Sequence, residues 1–195
     1  HVPRGTALDR PVHVLFLTVA DHGPVVIFPR VLVTVGEAAS LKLVESHVGL
    51  RGKAFVVPVV EVDVARGANV EHVRHVAETA ETVHVGRVAA RQAADSVYTS
   101  VSANLGGHIV RHDIDSFHTG THLETWLDGA SVARKGETVD NHTRLDHAQP
   151  DGRSFETYKT ILDGDGHGIF NGKIYVYEDA QRTDAKQTNQ GLLLS

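Results

Sequence analysis

The sequence lacks cysteine and methionine altogether, and tryptophan occurs only once in its 195 residues. Without cysteine, the chain can form neither an internal disulfide nor a thiolate metal site. Long apolar runs are also missing. The stretch from Val12 to Val19 is short and is interrupted by His13, whereas a membrane helix needs roughly 18 apolar residues. These absences predict a cytoplasmic protein that does not enter a membrane.

A strong excess of charge of one sign is absent as well. The chain carries 24 acidic and 19 basic residues, which gives a net charge of −5. A protein that coats nucleic acid needs a basic face, so this balance argues against that class. The length and the hydrophobic fraction of 41% are ordinary for one globular domain with a core of its own.

Alternation of inward and outward residues is the main structural signal. It occurs in Val31–Val35, in Val59–Val64 and in Lys173–Tyr177. A period of two is typical of strands, and the dominance of valine favours them further because β-branched side chains suit a pleated surface. We therefore predict strands in all three segments and an all-β fold.

Two further segments have a less certain pattern. Val70–Glu81 has a composition that a helix would accept, but a small-residue corner at Gly67-Ala68 lies just before it, so we predict a strand followed by a loop. Ser154–Leu162 fits either a short helix or a strand, and its pattern leaves both open.

Small-residue corners recur along the chain at a long and inexact period. The steps are 31 residues from Gly36 to Gly67, 26 from Gly67 to Ala93 and 27 from Ala93 to Gly120. A period of about 20 to 50 residues is typical of solenoids, whereas a β-sandwich would show turns every roughly 8–12 residues. We therefore predict a β-helix, with the sandwich as the alternative. The corners are Gly36–Ala39, Arg66–Asn69, Arg91–Asp95, His118–Gly120, Asp151-Gly152 and Glu178–Ala180.

Histidine is abundant, with 14 residues, and this composition invites a search for metal sites. His72 and His75 have a spacing that serves a metal on a helix but not on a strand. His142 and His147 differ by an odd number, so a strand would point them to opposite faces. We interpret them as surface or stacking histidines rather than as ligands. Asp140 and Asp146 accompany this second pair.

A second polar cluster contains His108, His112, Asp113 and Asp115. The preceding Gly106-Gly107 pair indicates a tight turn or a close approach of two backbones. An acid–base pair is possible in principle, but a structural ladder of polar side chains is the favoured interpretation.

Motifs for nucleophilic catalysis or nucleotide binding are weak. The chain has no Gly-x-Ser-x-Gly elbow. The glycine-rich segment Asp163–Gly168 lacks both the Gly-Lys-Ser/Thr ending of a phosphate-binding loop and the distal glutamate of an EF-hand. We predict a hairpin or a coil turn there.

The second half of the chain contains a long ordered series of distinctive blocks: Val139–Thr143, Asp146–Pro150, Tyr158-Lys159, Leu162–Gly164, Phe170–Ile174, Asp179–Gln181, Thr183–Asn189 and Leu192–Ser195. This series resembles the iron–sulphur cluster assembly proteins of the SufB/SufD family, and the SufD branch most closely. Leu105–Gly107 and Val110–Asp113 fit the same family, while residues before about position 50, such as Glu45-x-His47-x-Gly49, match only in character.

The resemblance implies a right-handed parallel β-helix over residues 1–195, a single domain that belongs to a longer chain with helical terminal regions. It implies a scaffold subunit of a SufBCD complex, rather than an enzyme, with a SufB-like paralogue and a SufC-like ATPase as partners. It also implies that an iron–sulphur cluster is present only transiently in the full complex and that this chain alone binds no cofactor.

The sequence departs from the family at its Cys-x-His motif, which normally follows the Leu-Leu-Leu-Ser block and does not occur here. We therefore carry over no catalytic, cofactor-binding or metal-binding residue. The apolar run Leu192–Leu194 predicts that this coil end pairs with another chain or with a continuation of its own chain.

Two other functions remain as alternatives. A β-helix enzyme acting on polysaccharides would need carboxylates along a groove, and four aspartates could supply them. A plain structural or binding solenoid is the second alternative. The aspartates in question are Asp113, Asp115, Asp140 and Asp146.

Overall fold

A computed structural model describes residues 1–194, and every regular element in that range is a β-strand. The all-β prediction is therefore confirmed. Ser195, the last residue of the Leu-Leu-Leu-Ser block, lies outside the described residues. The strands are β1 Val12–Val19, β2 Val25–Ile27, β3 Arg30–Val35, β4 Ser40–Arg51, β5 Ala54–Val56, β6 Val59–Val64, β7 Asn69–Ala77, β8 Val83–Gln92, β9 Val97–Gly106, β10 Ile109–His118, β11 Glu124–Ala133, β12 Thr138–His147, β13 Arg153–Leu162, β14 His167–Val176 and β15 Asp184–Leu193.

The strands form two parallel sheets that the chain visits alternately. One sheet has the order β1-β4-β7-β9-β11-β13-β15. The other runs β14-β12-β10-β8-β5-β2, with β3 and β6 continuing it beside β8. Each passage through both sheets makes one coil, and each interior coil pairs in parallel with the coil before and the coil after it. The molecule is thus a parallel β-solenoid of about six turns, as the corner period predicted.

Strict alternation sends every second side chain into the space between the sheets. In β6, Val60, Val62 and Val64 are buried while Glu61 and Asp63 are exposed. In-register pairing stacks Val33 on Val62 and Val35 on Val64. Burial of these columns of valine and leucine supplies the apolar part of the interior, since the free energy gained grows with the apolar area removed from water.

Corners from the second sheet to the first share one backbone device. One residue at each of these corners has a positive φ, between +53° and +65°. At four of them, the N–H of this residue donates to a carbonyl of the next coil, for example Asp95 N to Thr121 O at 2.9 Å. At these four corners, the ladder between coils therefore continues around the turn and satisfies this backbone donor. The residues are Ala38, Gly67, Asp95, His122, Asp151 and Arg182.

Two stacked prolines divide one strand of the second sheet in the first coils. Pro29 lies between β2 and β3, and Pro58 lies between β5 and β6. Proline has no N–H to give to a ladder, so a strand is interrupted where proline occurs. Because the two prolines are 29 residues apart (58 − 29), the interruption recurs at the same place in adjacent coils.

Val70–Glu81 is the strand β7 followed by a turn, as predicted. Ser154–Leu162, whose pattern left strand and helix open, lies in the strand β13. The Asp163–Gly166 segment is the turn that joins β13 to β14, so it links the two sheets and is not a hairpin. Among the described residues, no helix is long and apolar enough to cross a membrane.

Candidate functional site

The polar cluster predicted around position 112 divides between the two faces of β10. His112 points inward and is 1% exposed, while Asp113 and Asp115 lie on the outer face. His108 lies in the turn before the strand. An acid–base pair of His112 and Asp113 is therefore excluded by strand geometry, because adjacent residues face opposite sides.

The outer-face ladder is the set Arg111, Asp113, Asp140 and His142, which lies across β10 and β12. Arg111 donates to both oxygens of Asp113, at 3.0 and 2.9 Å, and to Asp140 at 3.1 Å. His142 Nε2 lies 2.8 Å from Asp140 Oδ1. The carboxylates are thus held by cations, in the structural ladder that the sequence favoured.

The other two acidic candidates are matched in the same way. Asp146 pairs with Arg144 at 2.8 Å, and Asp115 pairs with Arg87 on the neighbouring coil. All four aspartates therefore have a cationic partner. A glycosidase needs one carboxylic acid that can give a proton and one free carboxylate, and this face shows neither.

Both histidine pairs singled out from the sequence are split by the strands that carry them. His72 is buried and His75 points outward, as the odd spacing predicts. His147 is buried, whereas His142 belongs to the outer-face ladder. Neither pair can share one metal ion.

His147 instead meets a different histidine inside the solenoid. Its Nδ1 lies 3.1 Å from Nδ1 of His118, and the two rings meet edge to face. The other ring nitrogens contact hydroxyls, His118 with Thr125 at 2.8 Å and His147 with Ser154 at 2.9 Å. Burial, reinforced by His147, lowers the pKa of His118 to about 3. This pair is neutral and acts as a structural hydrogen-bonding unit.

A larger group of charged side chains lies deeper in the chain's first half. We call it the interior ionic cluster. Its members lie on the inward-facing sides of three strands and on one corner, and each side chain is at most 6% exposed. They are Glu45 and His47 of β4, His72 and Arg74 of β7, Glu78 of the corner after β7, and His84 of β8.

Glu45 is the centre of hydrogen bonding in the interior ionic cluster. His47 donates from Nε2 to one of its oxygens, and His72 donates from Nε2 to the other at 3.0 Å. Burial alone would raise the pKa of Glu45, but these two hydrogen bonds and the charge of Arg74 outweigh it and hold the pKa far below its usual range. Glu45 is therefore an ionised carboxylate inside the protein.

The hydrogen bond to Glu45 also fixes the proton of His47. Burial lowers the pKa of this ring, so it is neutral, and because Nε2 carries the proton, Nδ1 carries a lone pair. The hydroxyl of Tyr98 lies 3.1 Å from His72 Nδ1. His47 Nδ1 is buried and has no hydrogen-bond partner among the described residues.

Arg74 provides the positive charge of the cluster. Its Nη2 donates to His84 Nε2 at 2.6 Å, and its Nε lies 4.0 Å from Glu45. Gly86 makes room for it, because a Cβ there would lie 2.5 Å from Nη2. The guanidinium therefore occupies space that only glycine leaves free.

Glu78 closes the cluster from the corner after β7. His84 Nδ1 lies 3.4 Å from its Oε1, while Oε2 has no hydrogen-bond partner in the described part of the chain. Burial raises the pKa of Glu78 to about 7, against the opposing charge of Arg74. Burial also lowers the pKa values of His47 and His84, so both rings are neutral.

No motif in the sequence identifies the interior ionic cluster as a unit. Glu45 and His47 stand out only as part of a family-like segment, and no sequence pattern marks Arg74, Glu78 or His84. The signal that points to the cluster is strand parity, that is, which residues of β4 share its buried face. Residues 41, 43, 45 and 47 share one face of β4, and a buried face that changes from leucine to glutamate is an anomaly.

Comparisons with known proteins place this geometry in context. Residues 16–195 match the family model described as "SUF system FeS cluster assembly, SufBD core domain". An iron–sulphur cluster assembly SufBD family protein of Synechocystis is 29% identical over 203 aligned residues, which cover all of this chain and 45% of the relative.

Two further relatives give a similar picture. Protein ABCI7, chloroplastic, of Arabidopsis thaliana is 29% identical over 100% of this chain and 42% of its own length. The iron–sulphur cluster assembly protein SufD of Escherichia coli is 27% identical over 99% of this chain and 46% of its own length. The chain therefore spans slightly less than half the length of each of these relatives.

Proposed function

Because the chain belongs to the SufB/SufD core family of iron–sulphur cluster assembly proteins, we propose that it acts as a scaffold subunit on which clusters are built and from which they pass to apo-proteins. The observation that carries this proposal is the match of the core-domain model to residues 16–195, which is nearly the whole solenoid. The cluster is cargo in this proposal, held in the assembled complex rather than by this chain alone.

The proposed partners are a SufB-like paralogue and a SufC-like ATPase. The last coil presents an open edge in the described residues. No strand in residues 1–194 pairs with the far side of β14 or β15. Leu192, Leu193 and Leu194 at this end are 55%, 73% and 60% exposed. An unpaired edge with apolar side chains is a template for another strand, either from another chain such as the paralogue or from a continuation of this chain.

The direction of the free backbone groups follows from the ladder. Asp184 N donates to Gly152 O and Leu194 N donates to Leu162 O, so the even-numbered residues of β15 face β13. Bonds of a parallel pair alternate along the strand, and the odd-numbered residues therefore point their N–H groups to the open edge. Asn189 is one of these.

The test is co-expression of the full-length protein with the SufB-like and SufC-like proteins of the same organism, followed by size-exclusion chromatography with light scattering. We expect a stable complex that contains all three. Asn189→Pro removes one edge donor and leaves the bonds to β13 intact, so we expect it to weaken the complex, whereas Asn189→Ala keeps the donor and is the matched control. A wild-type chain that elutes alone would contradict the scaffold proposal.

The polysaccharide alternative has no comparable support. Its four candidate aspartates are paired with arginines or with His142, as described above. The geometry favours a protein that presents surfaces and edges over one that turns over a sugar chain.

A further inference from the structure

Three side chains of the interior ionic cluster form a compact set of metal-ligand types. One ligand atom from each of His47, Glu78 and His84 lies within 4.8 Å of the corresponding atoms of the other two, and all three residues are buried. Two imidazoles and one carboxylate are the ligands of catalytic zinc sites and of non-haem iron(II) sites. We propose that His47, Glu78 and His84 bind a single divalent metal ion of the zinc or iron(II) class inside the solenoid. This inference does not depend on the proposed scaffold function.

Unpartnered lone pairs are the second, independent observation. His47 Nδ1 and Glu78 Oε2 are both buried and both lack a hydrogen-bond partner among the described residues. His47 Nδ1 is an acceptor, and so is Glu78 Oε2 when the carboxyl is ionised, so that a donor or a metal ion can satisfy either atom. One cation placed between them satisfies both at once and removes the cost of burying them unpaired.

Glu45 supplies the outer support that metal-binding imidazoles usually have. Glu45 accepts a hydrogen bond from the Nε2–H group of His47, and this leaves Nδ1 of that ring as the ligand atom. A carboxylate on the far nitrogen of a ligating histidine fixes the tautomer and increases its basicity. Phe16 stacks on the same ring, with centroids 4.7 Å apart and planes at 12°, and holds its orientation.

Metal binding requires one rearrangement. At a bond length of about 2.0–2.1 Å, ligand atoms around a tetrahedral ion stand roughly 3.4 Å apart, so the three side chains must close inward. His84 must also move its proton from Nδ1 to Nε2 if Nδ1 is to bind. Arg74 then withdraws from Nε2 towards Glu45, whose Oε1 is 4.0 Å from its Nε. Arg74 thus competes with the metal.

This proposal goes beyond the expectation from the sequence, which assigns no metal-binding residue because the family's Cys-x-His motif does not occur here. That expectation also weighs only histidines close together in sequence, such as His72 with His75. The proposed ligands come from β4, from the corner after β7 and from β8. Only stacking of successive coils brings them together.

The test is titration of the chelator-treated full-length protein with Zn²⁺ by calorimetry and with Co²⁺ by visible absorption. We expect one saturable site in the wild type and its loss in Glu78→Gln. The matched control is Glu156→Gln, because Glu156 is also a buried glutamate, and its side chain accepts a hydrogen bond from a hydroxyl, Thr143 Oγ1, at 2.8 Å. Glu45→Gln should weaken binding about 10- to 100-fold, as loss of outer support does elsewhere.

Equal stoichiometry and affinity in the wild type and in Glu78→Gln would overturn the proposal, since the ions would then sit on exposed histidines. Weak binding without saturation in both proteins would overturn it equally. If Glu78→Gln does not fold, X-ray absorption of the Co²⁺-loaded wild type decides the question. Scattering from imidazole ligands supports the site, and a shell of oxygen alone contradicts it.

Discussion

The two halves of β4 face the same interior but fill it with opposite chemistry. Leu41 and Leu43 pack into the apolar core, whereas Glu45 and His47, on the same face two and four residues further on, belong to the interior ionic cluster. All four are at most 4% exposed. Strand parity therefore decides which residues are inside, but it does not require that they be apolar.

The comparison also separates two ways of holding a coil in place. The apolar half depends on area removed from water, which is tolerant of small shifts. The ionic half depends on hydrogen bonds that exist in only one register, and a charge left without its partner there is costly. Four substitutions test this difference, in order of decreasing expected effect.

Glu45→Ala should have the largest effect. It removes the acceptor of His47 and His72 and leaves Arg74 buried without its nearest negative charge. Breaking a buried ion pair by deleting one partner costs about 3–5 kcal/mol. Urea unfolding followed by circular dichroism measures the loss. A loss below about 1 kcal/mol would show that the ionic half contributes little to stability.

Leu43→Ala is the matched change in the apolar half of the same strand. Leu43 stacks between Val12 and His72 in the ladder and is 4% exposed. Truncating a buried leucine costs about 2–5 kcal/mol, through lost transfer energy and the cavity left behind. The same urea measurement applies. If this loss exceeds that of Glu45→Ala, the ranking of the two halves is wrong.

Glu156→Gln tests whether a buried glutamate without a nearby cation destabilises the fold. Burial raises the pKa of Glu156 from 4.5 to about 7. When folding raises the pKa of a carboxyl, the protein is most stable below the unfolded pKa of that group. The folding stability is then lost as the pH rises through the folded pKa. At pH 8 the ionised group therefore costs about 3 kcal/mol, which the neutral amide avoids.

We accordingly expect Glu156→Gln to stabilise the protein at pH 8 and to leave its stability unchanged near pH 4. Thermal unfolding across this range checks the slope. Glu45→Gln is the contrasting variant, because the pKa of Glu45 is lowered, so its amide should destabilise at pH 8. If the stability of Glu156→Gln and that of Glu45→Gln changed with pH in the same way, the charge states assigned to Glu156 and Glu45 would be contradicted.

Lys42→Ala should have the smallest effect. Lys42 is on the outer face of β4, and its Nζ lies 3.1 Å from Glu71 with both side chains about half exposed. Exposed ion pairs contribute about 0–1 kcal/mol, and salt screens them. Unfolding at low and high salt should therefore differ little from the wild type. A loss of several kcal/mol would mean that the outer face matters as much as the interior.

Much of the fold can be predicted from the sequence because strands and corners depend on local sequence patterns. Alternation in Val59–Val64 predicts a strand, and small residues such as Gly67 indicate a corner. Ser154–Leu162 could not be assigned in this way, since nine residues of mixed pattern fit either a strand or a helix turn. Its strand form is imposed by pairing with β11 and β15.

The candidate site was much less predictable. The coil length varies from one repeat to the next, so the sequence does not show which residues stack. His84 comes 37 positions after His47 (84 − 47), and no period read from glycine corners aligns them. Their meeting depends on the exact register of β4, β7 and β8, which only the assembled ladder defines.

The stacked ladder has a mechanical consequence. Its hydrogen bonds join one coil to the next, so they run along the solenoid axis rather than across it. A pull between the two ends loads every coil junction in series, and the junction with the fewest bonds yields first. The broken strands at Pro29 and Pro58 reduce the pairing between β2 and β5 to three residue pairs. The pairing of β5 with β8 is shorter still, with two residue pairs. Within the second sheet, these short pairings should therefore yield before the ten-pair junctions of β8 with β10 and of β10 with β12.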